Sequence, residues 1–124
     1  MMYEVSQRFF FDAAHTLNRE IETAGSRRIH GHTYWAEVAV RGTPDPVTGM
    51  VVDSGMLKAR LHEVRDRLDH HLLDEVPDLG PATLENLCAF IARGLDDFHP
   101  GLATVRVWRE ANGDSCTLHL LPTL

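Results

Sequence analysis

The sequence is poor in cysteine, in basic residues and in long apolar runs. Two cysteines, Cys88 and Cys116, cannot supply the disulfide framework of a small secreted domain. We therefore expect a reducing, cytoplasmic location. No apolar run reaches the ~18 residues of a membrane span, and no basic-then-apolar leader opens the chain, so we expect no membrane association. With 12 basic against 18 acidic residues, the net charge of −6 argues against nucleic acid as the main partner.

What the sequence does contain is typical of an ordinary globular protein. Its 124 residues are 44% apolar and 24% charged, which predicts a single domain over residues 1–124 with a real hydrophobic core. Eight histidines are many for a chain of this length. Their positions direct the search for a functional site.

Hydrophobic patterns predict an α+β fold. Alternation and β-branched residues predict strands over 3–14, 31–42, 102–110 and 116–122. Helical spacing predicts helices over 54–73 and 84–98, capped by Asp53 and Thr83. Residues 16–28 show no sustained apolar period and are expected to form a loop. The order ββααββ predicts an antiparallel four-stranded sheet with two helices on one face.

Three histidines are placed to bind one metal ion. His30 and His32 lie two residues apart at the start of a predicted strand, so both side chains point to the same side. His15, near the end of the preceding strand, can supply a third nitrogen. Three imidazoles leave a tetrahedral zinc ion with one open position, as in catalytic rather than structural sites. The alternative is that His30 and His32 form an accidental surface pair.

Six motifs in order along the chain resemble the 6-pyruvoyl- and 6-carboxytetrahydropterin synthases. They are FDAAH, HGHTY, GMVVD followed by LK, LDHHLLDEVP, ATLEN and VWRE. The branch with the most similar motifs is the bacterial 6-carboxytetrahydropterin synthases of the deazapurine (queuosine) pathway. The resemblance implies a tunnelling fold (T-fold), in which edge strands pair into trimeric β-barrels and two trimers stack as a hexamer with sites at subunit interfaces. Free strand edges are consistent with such pairing.

The resemblance also implies roles for individual residues. His15, His30 and His32 would bind Zn²⁺, and the ion would bind the hydroxyl groups of a pterin side chain. Glu110, at the end of VWRE, matches the carboxylate that anchors the pterin ring; otherwise it is a solvated charge at a strand end. Further pterin contacts match Thr83 and Glu85, which can equally be a helix cap and a first-turn acid. A second hydroxyl residue, frequent in the family, is replaced here by Leu84.

Asp69 and His70 match the family's paired acid and histidine. An aspartate bonded to one ring nitrogen would fix the tautomer and let the other nitrogen move a proton. His71 suits a structural role at a helix C-terminus. The remaining histidines, without convergent partners, are interpreted as structural or exposed: His62, His99 and His119.

One position departs from the family pattern. Ser26 stands where the family has its catalytic cysteine, and a serine hydroxyl is a much weaker base than a thiolate. Neither Cys88, on the apolar side of a helix, nor Cys116 is expected to replace it. Glu20 and Glu22 lie in the same loop and could do so after a rearrangement.

The expected function is therefore a zinc-dependent reaction on the side chain of 7,8-dihydroneopterin triphosphate, most similar to 6-carboxytetrahydropterin synthesis. The alternatives are cleavage of a related pterin side chain and pterin binding with little turnover. A purely structural zinc domain would need a fourth protein ligand, which the sequence does not offer at good spacing. Arg27 and Arg28 could bind the triphosphate or be ordinary loop charges.

Overall fold

The computed structural model describes residues 1–21 and 23–122. Four strands form one antiparallel sheet in the order β1-β2-β3-β4. No helix among these residues has the length and apolar character needed to cross a bilayer. The elements in chain order are β1 (Tyr3–His15), α1 (Thr23–Arg27), β2 (His30–Gly42), α2 (Ser54–Asp66), a 3₁₀ turn (Leu73–Glu75), α3 (Leu84–Gly94), β3 (Leu102–Arg109) and β4 (Asp114–His119).

The hydrophobic core lies between one face of this sheet and the helices α2 and α3. Alternate residues of the strands point to that face, as the period of a strand requires. The inner apolar residues of both helices belong to the same buried cluster, so the α+β fold predicted from the sequence is confirmed. The largest fully buried apolar side chains of the cluster are Tyr34, Phe11, Leu57, Leu68, Leu73, Leu87, Ile91, Leu95, Val38, Val40 and Val105.

The opposite face of the sheet carries aromatic and charged residues instead of a second layer of helices. Trp35 and Trp108 stack with ring centroids 6.3 Å apart. The guanidinium groups of Arg8 and Arg106 lie over the Trp108 ring at 5.5 and 4.4 Å from its centroid. We call this surface the open face.

Helix α2 ends seven residues earlier than its hydrophobic spacing predicts. Leu68 is still buried, but the chain has left the helix and reaches a left-handed conformation at His70, with φ of 59°. The His70 N–H donates to the Asp12 carbonyl of β1 at 2.7 Å. A tertiary hydrogen bond to β1 has thus replaced the next helical turn. Helix α3 likewise ends at Gly94, before the predicted residue 98.

The segment expected to be a loop contains the short helix α1. Its sequence, TAGSR, has no apolar periodicity from which a helix could be predicted. Side-chain hydrogen bonds hold it, since the Thr23 hydroxyl donates to the Glu20 carbonyl at 3.1 Å and the Ser26 hydroxyl to the Thr23 carbonyl at 2.9 Å. Of the two acids considered as replacements for the cysteine, Glu20 is exposed and Glu22 lies outside the described residues.

Both predicted helix caps are present. The Asp53 carboxylate accepts from the N–H groups of Gly55 and Met56 at 2.9 and 3.3 Å, and the Thr83 hydroxyl accepts from Asn86 N–H at 3.1 Å. Each cap satisfies backbone donors that the helix itself leaves unpaired. Thr83 therefore fixes the start of α3, which matters for the site described next.

Candidate metal centre and active site

The register of β1 and β2 brings three histidines together. His15 pairs directly with His30, and His32 lies opposite Ala13. All three side chains point to the helix-covered face. Their ring centroids are 4.5 Å apart for His15 and His30, 4.9 Å for His15 and His32, and 5.0 Å for His30 and His32. One ligand atom from each lies within 4.8 Å of the others, so the three histidines could hold one metal ion.

Hydrogen bonds leave the other ring nitrogens of two histidines available for a metal. His15 Nδ1 lies 3.2 Å from the Ala82 carbonyl, and His30 Nδ1 lies 2.7 Å from the Arg28 carbonyl. Such contacts select the tautomer with a free lone pair on Nε2, the arrangement common in metal-binding histidines. His15 Nε2 is buried and has no partner among the described residues. Because an orphaned buried nitrogen is unfavourable, its position fits a ligand to a bound cation.

The environment keeps two of the imidazoles neutral. Burial lowers the pKa of His15, although the Ala82 carbonyl partly opposes this. Burial also lowers the pKa of His32 to about 4, and the nearby Arg109 charge adds to the effect. Only a neutral imidazole can donate a lone pair to a metal, so both shifts favour metal binding near neutral pH.

The histidines line a cavity of about 590 Å³, which we call the histidine cavity. Several residues predicted for the site meet here: besides the three histidines they are Ser26, Thr83 and Glu85. Leu84 lines it as well, so the apolar substitution noted in the sequence faces the same space. Asp69, His70, Glu110 and Arg28 are not among the lining residues.

Ser26 is held by hydrogen bonds within its own segment. It is 6% exposed, and its hydroxyl donates to the Thr23 carbonyl and accepts from Arg19 N–H at 3.2 Å. Its own carbonyl accepts from Leu17 N–H at 2.6 Å. Ser26 therefore organises the segment that covers one side of the histidine cavity.

Asp69 and His70 form the predicted pair at a separate place. His70 Nδ1 lies 2.8 Å from the Asp69 carboxylate, which also accepts from Asp12 N–H at 3.0 Å. The His70 side chain is 79% exposed. It lines a second cavity of about 520 Å³ with residues that include Asp12 and Thr33. These two alternate with the three histidines along β1 and β2 and lie on the open face, but His32 lines this cavity as well. The second cavity therefore borders the histidine cavity at His32.

Two further predicted residues lie away from the histidine cavity. Glu110 is exposed in the turn after β3, and Arg28 is exposed after α1. The structure thus does not bring Glu110 to the cavity, and Glu85 is the predicted carboxylate that lines it. Arg28 contributes its backbone carbonyl to His30, while Arg27 Nε donates to Asn18 at 2.9 Å. The arginines that line the cavity are Arg19 and Arg109.

Sequence reasoning missed five polar residues of the site: Arg19, Tyr34, Arg109, Asn112 and Asp114. Strand periodicity could have found Tyr34 and Arg109. Val105 and Val107 belong to the core face of β3, and the next residue in that alternation is Arg109, not Glu110. Arg109 then pairs with Asp114 across the β3–β4 ladder.

Comparison with known proteins agrees with this geometry. The profile of the 6-pyruvoyl tetrahydropterin synthase family matches residues 4–119. The chain is 36% identical over 112 residues to the 6-carboxy-5,6,7,8-tetrahydropterin synthase of Synechocystis, with 86% of this chain and 85% of the relative covered. It is 32% identical over 125 residues to human 6-pyruvoyl tetrahydrobiopterin synthase, covering 88% and 86% of the two chains.

Among solved structures, 6-pyruvoyl tetrahydropterin synthase of Caenorhabditis elegans superposes with a TM-score of 0.81 at 26% identity, covering 96% of each chain. A Plasmodium vivax structure of the same named enzyme has a TM-score of 0.72 at 18% identity and supports the fold alone. Sequence, fold and the histidine cluster thus agree, and the chain belongs to the 6-pyruvoyl tetrahydropterin synthase family.

Proposed function

We propose that this chain is a zinc-dependent lyase that acts on the side chain of 7,8-dihydroneopterin triphosphate, as a 6-carboxytetrahydropterin synthase of the 7-deazapurine pathway. The observation that carries the proposal is the histidine cluster with its unpartnered, buried His15 Nε2. The relationship to the Synechocystis enzyme gives the substrate class. Zn²⁺ suits three neutral imidazoles and, when bound, would supply Lewis-acid chemistry at an oxygen of the substrate.

The protein's own groups would bind and orient the pterin. Glu85 lies in the first turn of α3 and lines the histidine cavity, so its carboxylate can accept hydrogen bonds from the N–H edge of a pterin ring. Thr83 fixes this turn through its cap, and its placement beside the histidines sets the distance between the ring and the cation. A role for Glu110 as the anchor of the pterin ring remains a prediction from the sequence motif alone.

We propose that His70 moves the proton and acts in the site of a neighbouring copy. Asp69 holds His70 Nδ1, which leaves Nε2 free, and the exposed ring lines the second cavity and not the histidine cavity. A T-fold oligomer would bring another copy to the second cavity. Trimeric barrels stacked as hexamers are the proposed assembly, consistent with the two edge strands β1 and β4.

Ser26 favours a second candidate function. Because its hydroxyl is engaged with Thr23 and Arg19, it is poorly placed to replace a thiolate. The second candidate is side-chain cleavage of a dihydroneopterin-type substrate, in which the metal and His70 carry the chemistry. Binding of pterin without turnover is the limiting case.

The deciding experiment is mass spectrometry of products after incubation of zinc-loaded protein with dihydroneopterin triphosphate, and separately with sepiapterin. Formation of 6-carboxytetrahydropterin supports the synthase, and a shortened side chain without a carboxylate supports the lyase alternative. Ser26→Cys is assayed in parallel. If neither substrate changes and Ser26→Cys is equally inactive, the enzymatic proposal fails. Cys88 and Cys116 are both free thiols, consistent with the proposed cytoplasmic location.

A further inference from the structure

The histidine cavity contains a polar group of residues to which the proposed function gives no role. Tyr34 follows the metal-site histidines on β2 and is 1% exposed. Its hydroxyl is buried and has no hydrogen-bond partner among residues 1–21 and 23–122. A buried hydroxyl without a partner is unfavourable, so this one indicates an acceptor that a ligand supplies.

Arg109 lines the same cavity as this hydroxyl. Burial raises the pKa of the Tyr34 hydroxyl, and Arg109 is close enough to lower it in part. The orientation of Arg109 is fixed. Its Nε donates to the Asp114 carboxylate at 3.1 Å, and its Nη2 donates to the other oxygen of the same group. Such a two-point contact holds the guanidinium plane. The remaining amino group, Nη1, lies 3.3 Å from His32 Nε2, at the metal-binding histidines. The Arg109 side chain is 17% exposed, so its charge acts in a largely desolvated place.

The charges of this region are unbalanced once a cation is present. Asp114 compensates the charge of Arg109. Glu85 is balanced by Arg19 in the same cavity, and the three histidines that would hold the cation bring no negative charge of their own. A divalent cation therefore leaves a net positive site with two donors, Tyr34 O–H and Arg109 Nη1–H, that line the same cavity. An anionic oxygen group there would receive hydrogen bonds from both and be attracted by the cation.

We propose that Tyr34 and Arg109 form an anion-binding subsite beside the metal centre, which selects ligands that carry a carboxylate next to the group bound by the cation. This inference rests on the metal centre of the proposed function but not on the pterin ring. Within that function, the carboxylate would be the one that the product carries on its shortened side chain. Because the substrate side chain carries hydroxyls and phosphates and no carboxylate, Tyr34 and Arg109 would act on the product and not on the choice of substrate.

Binding of a small anion to the metal-loaded protein tests this directly. Co²⁺ replaces Zn²⁺, and its visible absorption reports changes in the surroundings of the metal. The Co²⁺-loaded protein is titrated with glycolate, which combines a hydroxyl and a carboxylate, and separately with ethylene glycol, which has no charge. We expect saturable spectral changes with glycolate and none with ethylene glycol over the same concentrations.

Two variants remove one donor each. Tyr34→Phe should weaken glycolate binding about tenfold, because the lost hydrogen bond goes to an ionised carboxylate. Arg109→Gln should weaken it at least about tenfold, because a charge-assisted bond is lost. Arg109→Gln leaves the Asp114 carboxylate without its partner. The double variant Arg109→Gln with Asp114→Asn removes both charges and is measured in the same way. Arg106→Gln, on the open face of the same strand, is the matched control and should bind glycolate like the wild type.

The outcomes separate this inference from the proposed function. If Co²⁺ binds and glycolate affinity is equal within about twofold in the wild type, Tyr34→Phe and Arg109→Gln, the subsite is refuted while the metal centre stands. If Co²⁺ does not bind, both proposals fail. If the variants lose glycolate but the wild type converts no pterin, the subsite is supported and the proposed reaction is refuted.

Discussion

At the scale of single residues, the site combines groups that the fold keeps neutral with groups that it keeps charged. The pKa of His32 is lowered to about 4, first by burial and then by Arg109. Burial opposes ionisation of Asp69 as well, but hydrogen bonds from Asp12 N–H and His70 outweigh it and hold the pKa of that carboxyl below its usual range. A neutral His32 is suited to bind a metal, and an ionised Asp69 is suited to hold a histidine that carries a proton.

The lowered pKa values predict how the stability of the metal-free protein depends on pH. The ordinary pKa of histidine is 6.5, and the pKa of His32 in the folded chain is about 4. Between these two pH values, residue 32 is protonated in the unfolded chain but not in the folded chain. The free energy of unfolding should therefore fall as pH decreases through this window. We expect a smaller fall for His32→Gln in urea titrations with chelator at pH 7.5, 6 and 5. His62→Gln, exposed on α2, is the control, and equal slopes for all three proteins would contradict the prediction.

Asp69→Asn should separate catalysis from metal binding. The amide cannot hold His70 in the same tautomer with the same strength, so turnover should fall by at least about a hundredfold. Zn²⁺ affinity should stay unchanged, because Asp69 and His70 do not line the histidine cavity. Competition with a chromophoric chelator measures the affinity. Asp66→Asn, exposed at the end of α2, serves as the matched control, and a parallel loss of metal in Asp69→Asn would show a structural role instead.

At the scale of elements, hydrophobic alternation was sufficient for the sheet. It predicted all four strands, and most of the predicted strand ends lie within two residues of the observed ends. From the ends of β1 and β2 it also predicted that His15, His30 and His32 lie close together. It could not predict α1, which side-chain hydrogen bonds stabilise, or the end of α2, where a bond from His70 to β1 ends the helix. The placement of Arg109 instead of Glu110 in the cavity follows from strand parity, which motif matching overlooked.

Gly94 permits the close crossing of α3 and α2, and its replacement tests that packing. A Cβ at this position would lie 2.6 Å from Val64 Cγ2, which is too close for two carbon atoms. Gly94→Ala should therefore lower the free energy of unfolding by about 1–3 kcal/mol, despite the better helix propensity of alanine. In a double-mutant cycle, Val64→Ala should recover part of the loss. A variant Gly94→Ala more stable than the wild type would refute the close crossing.

At the scale of the whole molecule, two cavities hold different parts of the proposed machinery. The three histidines line the histidine cavity, whereas the largely exposed His70 lines the second cavity, and His32 borders both. In one chain, the proposed proton carrier therefore lies outside the histidine cavity. Assembly is the simplest way to unite them.

Mixed oligomers of two inactive variants test this arrangement. In the proposed function, His32→Gln lacks a metal ligand and His70→Gln lacks the proton carrier, so each alone should be inactive. If each site draws on two copies, co-refolding equal amounts should restore about a quarter of the wild-type activity, the fraction of sites that combine an intact half from each variant. Light scattering should give a mass of three or six times 13.9 kDa. No recovered activity in a mixed oligomer would place both groups in one chain.

The stacked pair on the open face has a practical consequence. Trp35 and Trp108 are the two tryptophans of the sequence, so all intrinsic indole emission originates from one stack flanked by arginines. Trp108 is 8% exposed in the single chain and Trp35 is half-buried, so Trp35 is the indole whose contact with water would change if the proposed assembly covered the open face. Dilution into separate chains would reverse that change. A red shift of the tryptophan emission maximum on dilution would thus report dissociation of the oligomer, without any added dye.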